Sequence, residues 1–271
     1  MVTLRPFSPE AESWVYDTLE KDGIRLHFVE GYSVKDDKVT ALFERRYSDV
    51  ETNSLIINDV ENFINKTEDD SVWAARLLLS KKLEVSLYII LQKEGFEPIK
   101  VMEVKSVMDG KIKLEERFVF DTCEDFAKWL GELKGIPVSK KFITPGRLAG
   151  LDECLRMYNV PWPGNLDGFL LNQDKNDIIA IFEFSRTIKY PIKEHDIRKY
   201  FTKDVNRWMA FNILNNQLKT EMYIILWHSD ERIVKVIKVK SITKDGLKYE
   251  YDKLVKDIEL TAFFVENILK P

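Results

Sequence analysis

The stretch Asp204–Leu226, DVNRWMAFNILNNQLKTEMYIIL, repeats the pattern of Asp69–Leu91, DDSVWAARLLLSKKLEVSLYIIL. Asp69 pairs with Asp204, Trp73 with Trp208, Ala75 with Ala210, Leu79 with Leu214 and Leu83 with Leu218, and Tyr88–Leu91 pairs with Tyr223–Leu226. These nine identities in 23 residues share one offset of 135 positions, and Val104–Ser106 keeps it with Val239–Ser241. With small gaps the match spreads outward. Glu30–Tyr32 (EGY) meets Asp167–Phe169 (DGF), Ala41–Glu44 (ALFE) meets Ala180–Glu183 (AIFE), and both halves carry an Asp-Gly turn, at Asp109 and at Asp245. A period this long is domain-sized and unlike a solenoid repeat. The expectation is a tandem duplication, 1–138 and 139–271, joined through the Pro- and Gly-bearing Gly135–Leu148. Such copies often pack like a homodimer fused in one chain, so a monomeric pseudo-dimer or a homodimer is expected.

Hydrophobic periodicity gives the elements of one copy. A helix is expected over Pro9–Lys21, strands over Ile24–Val34 and Lys38–Tyr47, and helical pieces over Asp59–Phe63 and Val72–Leu83. A central strand at Val85–Gln92, a hairpin across Asp109-Gly110 and a closing helix capped by Asp121 complete it. The second copy reads as helix Leu148–Tyr158, strands Gly168–Leu171 and Ile178–Ser185, helix Asp196–Leu218, strand Met222–Trp227, a hairpin and helix Asp257–Leu269. The fold class is therefore α/β. It comprises two tandem α-β-β-α-β-β-β-α copies, each a mixed sheet flanked by helices. The lysine-rich run Arg232–Lys244 reads as a protected edge strand or as a lining for a phosphate backbone.

Composition narrows the function. A net charge of −4 disfavours coating nucleic acid by bulk electrostatics, and leaves only a local basic patch for DNA or RNA. No run of eighteen apolar residues suggests a membrane helix, and the opening MVTLRPFSPEAESW does not read as a signal peptide. Cys123 and Cys154, one in each half, suggest neither a disulfide framework nor a zinc knuckle, so a cytoplasmic setting is expected. Abundant charge with scarce His, Cys and Gln resembles a thermophile composition. There is no Gly-rich phosphate loop, no GxSxG and no ligand-spaced histidine pair, which removes support for hydride-transfer, kinase, α/β-hydrolase and histidine-metal readings.

The chemistry-bearing segment is Leu166–Arg186. Asp167 opens one strand, and Glu183 shares a face of the next with Ile179, Ile181 and Ser185. Two carboxylates on adjacent buried strands are the donor type that holds Mg²⁺. This order of helix, strand with Asp, hairpin, strand with Glu, helix and strand resembles the PD-(D/E)XK, or restriction-endonuclease-like, nucleases. The resemblance implies Asp167 and Glu183 as ligands of Mg or Mn, with Glu153 on the preceding helix as an added ligand. The family's water-positioning lysine falls on Ser185, with Arg186 and Lys189 as nearby cations. In the first copy Glu30, Glu44 and Arg46 stand at the positions of Asp167, Glu183 and the lysine. Arg186, Lys203 and Arg207 are the candidate nucleic-acid contacts, while Trp208, matched by Trp73, is expected in the core. Two functions stay open. One is metal-dependent phosphodiester hydrolysis. The other is a non-catalytic duplicated scaffold for a protein or nucleic-acid partner, in which Glu183 is held by an arginine such as Arg186 or Arg207.

Overall fold

A computed structural model describes residues 4–6, 14–93, 98–141, 150–188, 190–201, 203–228 and 230–270. The expected helix starts at Pro9 and Leu148, and Lys189, lie outside them. In chain order the elements begin with β1 (Leu4–Pro6), α1 (Trp14–Lys21), β2 (His27–Lys35), β3 (Lys38–Ser48), α2 (Ile57–Thr67) and α3 (Asp70–Leu83). Then come β4 (Ser86–Lys93), β5 (Ile99–Met108), β6 (Lys111–Phe120), α4 (Cys123–Lys134) and α5 (Gly150–Met157). The last group is β7 (Gly164–Leu171), β8 (Ile178–Thr187), α6 (Arg198–Phe201), α7 (Val205–Leu218), β9 (Glu221–His228), β10 (Ile233–Thr243), β11 (Gly246–Lys256) and α8 (Asp257–Phe264).

The chain divides into two compact units, one of residues 1–8 and 29–165, the other of 9–28 and 166–271. In unit 1 the strands run β2-β3-β4-β5-β6, with β1 against the end of β3; in unit 2 they run β7-β8-β9-β10-β11. Each unit has one parallel pair, β3 with β4 and β8 with β9, among antiparallel neighbours, so both sheets are mixed α/β. Two register irregularities of each unit match too, although the shifts at Val101/Met102 and Lys238/Val239 do not. The matching shifts fall at Ser33/Val34 and Leu170/Leu171, and at Val104/Ser106 and Val239/Ser241.

The units are not the sequence halves 1–138 and 139–271, because each half's first helix completes the other half's strands. Val15 and Leu19 of α1 are buried with Phe182, Tyr223, Ile225 and Phe264 of unit 2. The Trp14 indole N–H donates to the His228 carbonyl at 3.1 Å, and the Thr261 hydroxyl donates to Asp22 at 2.5 Å. Leu151, Cys154 and Leu155 of α5 are buried with Phe43, Ile90, Val101 and Phe126 of unit 1. Both helices present an apolar stripe at i, i+4, and periodicity alone does not say which sheet covers it. Their exits are alike: Ile24 N–H donates to Leu19 O at 2.9 Å, and Val160 N–H to Leu155 O at 3.0 Å.

Four sequence expectations change. Cys123 and Cys154 form a disulfide joining α4 to α5, because α5 belongs to unit 1. Thr122, not Asp121, caps α4, accepting the Asp125 N–H at 3.2 Å. The helix expected over Asp196–Leu218 is α6 and α7, broken before Val205 where Asp204 leaves helical geometry at φ −143°, ψ 42°. The lysine-bearing β10 lies between β9 and β11, so β11 is the edge and Lys235 is buried.

Candidate functional site: two buried carboxylate–arginine clusters

Alternation along the strands puts Phe43 and Phe182 toward the cores under α4 and α8, and sends the next residue, Glu44 or Glu183, to the opposite face, where α3 or α7 lies. In unit 2 Asp167 Oδ2 accepts the Phe184 N–H at 2.8 Å. In unit 1 Glu30 Oε2 accepts the Arg45 N–H, at the matching place, at 2.6 Å. Strand pairing thus brings Asp167 beside Glu183 and Glu30 beside Glu44, the pairs the sequence singled out. Asp167 and Glu183 are close enough that the Asp167 charge acts on the Glu183 carboxyl.

An arginine closes each pair. In unit 2 the Arg207 guanidinium, on the first turn of α7, reaches Asp167 at 3.4 Å and contacts Glu183. In unit 1 Arg46 lies 3.4 Å from Glu44 and 3.7 Å from Glu30, and forks onto Glu68 through two bonds of 2.8 Å. Arg76 of α3 adds a contact to Glu44 at 3.1 Å. Arg76 and Arg207 lie one helical turn apart in the matched helices, since Phe211 stands opposite Arg76 and Val72 opposite Arg207. A second exchange accompanies this. The Arg46–Glu68 fork becomes Ser185 and Lys203 in unit 2, where Ser185 is half-buried and Lys203 exposed.

Burial governs the electrostatics. Glu183 is 2% exposed, and burial, then the Asp167 charge, pushes its carboxyl well above the usual range against the pull of Arg207. Burial likewise raises Asp167, with Arg207 and the Phe184 N–H opposing. Glu30 is pushed up to about 8 by burial and then by Glu44. Arg46, buried, keeps its charge through the Glu68 fork and the Glu44 and Glu30 charges.

Each cluster also holds residues from the exchanged helix that the sequence reading missed. Tyr16 of α1 donates its hydroxyl to the Asp167 carbonyl and stacks on Phe184 at 4.6 Å. Asp152 of α5 takes Arg45 at 3.1 Å, and Arg45 lies 4.3 Å over the Trp162 ring. The matching of Val15 and Leu19 with Leu151 and Leu155 was the available signal, since it aligns Tyr16 with Asp152. Glu153 sits next to Asp152 on α5, which belongs to unit 1. Of the candidate nucleic-acid contacts, Arg207 belongs to the acid pair, while Arg186 lies 5.3 Å over Trp227. Trp208 is buried in the core.

The donor chemistry does not fit a divalent ion as arranged. Both acids of each pair point at guanidinium groups, and among the described residues no three His, Cys, Asp or Glu side chains converge as a metal cage. What the clusters do is pin a strand pair to the helix above it.

Among the described residues no helix is long and apolar enough to cross a membrane. No family model matches the chain, and no curated protein does. Among solved structures the chain is similar to "Crystal structure of Sex pheromone staph-cAM373 precursor", at 10% identity over 92% of this chain and 85% of that one, with a TM-score of 0.18, a likeness too slight to carry any argument.

Proposed function

We propose that this chain is a duplicated, restriction-endonuclease-like protein that has left metal-dependent cleavage behind and serves as a binding scaffold. The observation that carries this is the guanidinium between the paired acids in both units, Arg207 in one and Arg46 with Arg76 in the other. A cation fixed by the fold supplies in place the charge that a divalent ion would bring, and the position of the family's lysine is Ser185 or Arg46. Arginine is a poor proton shuttle because it does not release its proton in proteins. The shared strand order and matched register shifts support the duplication.

The rival reading, a Mg- or Mn-dependent nuclease centred on Asp167 and Glu183, draws support from Arg207, whose side chain is 38% exposed and is the one arginine on that pair among the described residues. Calorimetric titration with Mn²⁺, alongside cleavage of labelled single-stranded, duplex and branched DNA, separates the two. The scaffold reading expects no Mn²⁺ heat that Glu183→Ala removes, and no cutting. Metal-dependent cutting that Glu183→Ala abolishes would replace it with the nuclease. The cytoplasmic expectation fits the disulfide mainly in a thermophile, whose intracellular proteins keep such bonds.

A further inference from the structure

Two lysines hold equivalent posts. Lys100 on β5 donates to the Leu55 carbonyl at 2.7 Å, and Lys235 on β10 donates to the His195 carbonyl at 2.8 Å, each tying down the short turn that follows β3 or β8. They differ in counter-charge. Lys100 is paired with Glu116 at 2.9 Å. Asp252 stands at the register position of Glu116, opposite Ile237 as Glu116 is opposite Met102. Its side chain is one methylene shorter. Arg198 is taken by Asp196 at 2.8 Å, Asp252 makes no ion pair with Lys235 among the described residues, and Lys235 is left with two carbonyl partners, His195 and Lys193 at 3.3 Å. Between Asp252 and Lys235 opens a pocket of about 140 Å³ lined also by Lys193, Arg198 and Tyr249. A buried ammonium with no carboxylate within ion-pair distance among the described residues has room to take an incoming anion.

The surroundings indicate what carries that anion. Residues 186–203 hold six Lys and Arg against two acids, whereas the corresponding 47–68 hold one Lys against five acids. In the same segment Ile188 is 69% exposed and Tyr190 51%. Glu194, Asp196 and Asp252 line the pocket with the cations. With three cations against three acids, one of them Asp196 already bound to Arg198, the lining disfavours a closely spaced run of phosphates and leaves Lys235 as the one buried cation for a single carboxylate. Exposed Ile and Tyr a few residues along the chain from the exposed Arg186 suit a protein surface.

We propose that unit 2 docks an acidic, apolar-spaced peptide segment of a protein partner. One Asp or Glu side chain enters the pocket to meet Lys235, as Glu116 meets Lys100, and apolar neighbours rest on Ile188 and Tyr190. This names a partner for the scaffold and rests on that reading. A chain that cuts DNA yet binds peptide sinks only the scaffold, and one that does neither sinks only the docking site.

The test is fluorescence anisotropy of the full chain with a labelled peptide alternating Glu and Leu, its Gln-for-Glu counterpart, and single-stranded oligothymidylate. The Glu peptide should bind saturably, and the Gln peptide about tenfold or more weaker. Asp252→Glu, which rebuilds the Lys100–Glu116 pair and keeps the net charge, should weaken the Glu peptide by about tenfold without lowering the melting temperature. Ile188→Ser, on the surface, should weaken it as well. Absence of saturable binding, equal affinity in Asp252→Glu, or preference for oligothymidylate would overturn the proposal.

Discussion

At the scale of residues, burial outweighs the neighbouring arginines in setting how the acid pairs titrate. Glu30 lies nearly without solvent beside Glu44, and its carboxyl titrates near 8 in the fold against 4.5 in an ordinary setting. The folded protein therefore binds a proton that the unfolded chain has released over that interval. Stability is fully present below about pH 4.5 and is lost as pH rises to about 8. Urea unfolding should give a stability that falls by on the order of 1–3 kcal/mol between pH 5 and pH 8. Glu30→Gln, which keeps an oxygen for the Arg45 N–H, should flatten that slope; an unchanged slope would show that Glu30 is not its source. The sequence made the acids legible because strand alternation and hairpin register fix their place. It hid the cations. Arg207 faces Val72 and Arg76 faces Phe211 in the matched helices, so each arginine looks idiosyncratic until the helix is wound and the two positions fall on one face.

At the scale of elements, α5 is eight residues long, too short to persist in water by itself, so its packing and its covalent tie decide whether it stays helical. The Cys123–Cys154 bond closes a loop of 31 residues. Loop-closure entropy makes that worth about 3–4 kcal/mol. Replacing both cysteines by serine should lower the unfolding free energy of unit 1 by this amount, and wild type in reductant should match the double variant. Hydrogen exchange in α5 and α4 reads it directly. The strands, hairpins and most helices were readable from period and turn residues. The break before α7 was not, because Asp196–Leu218 is an unbroken helical pattern, while in the fold α6 lies against β11 and α7 against β10. The disulfide escaped for a different reason. Counting cysteines by sequence half separates two residues that tertiary packing joins.

At the scale of the whole molecule, the compositional boundary near Gly135–Leu148 marks where one sequence pattern ends and the next begins, without marking where one core ends. Residues 1–138 carry α1 but lack α5, so Phe43, Val101 and Phe126 lose part of their cover. Residues 22–165 keep β2 through α5 and the disulfide. The fragment 22–165 should melt cooperatively by circular dichroism, while 1–138 should bind a hydrophobic dye and melt broadly. The reverse result would mean that α5 is dispensable to unit 1. Mean composition and periodicity are local quantities, and an exchange of helices changes neither.

That exchange also sets an order of events during synthesis. The ribosome releases α1 first, and β7, the first strand of its unit, follows only from residue 164. At ordinary elongation rates the helix waits on the order of ten seconds, with Val15 and Leu19 uncovered, until its sheet exists. Unit 1, by contrast, gains α5 soon after its last strand. The nascent chain thus completes its first core while carrying an unfinished piece of its second, a natural point for a chaperone to hold it.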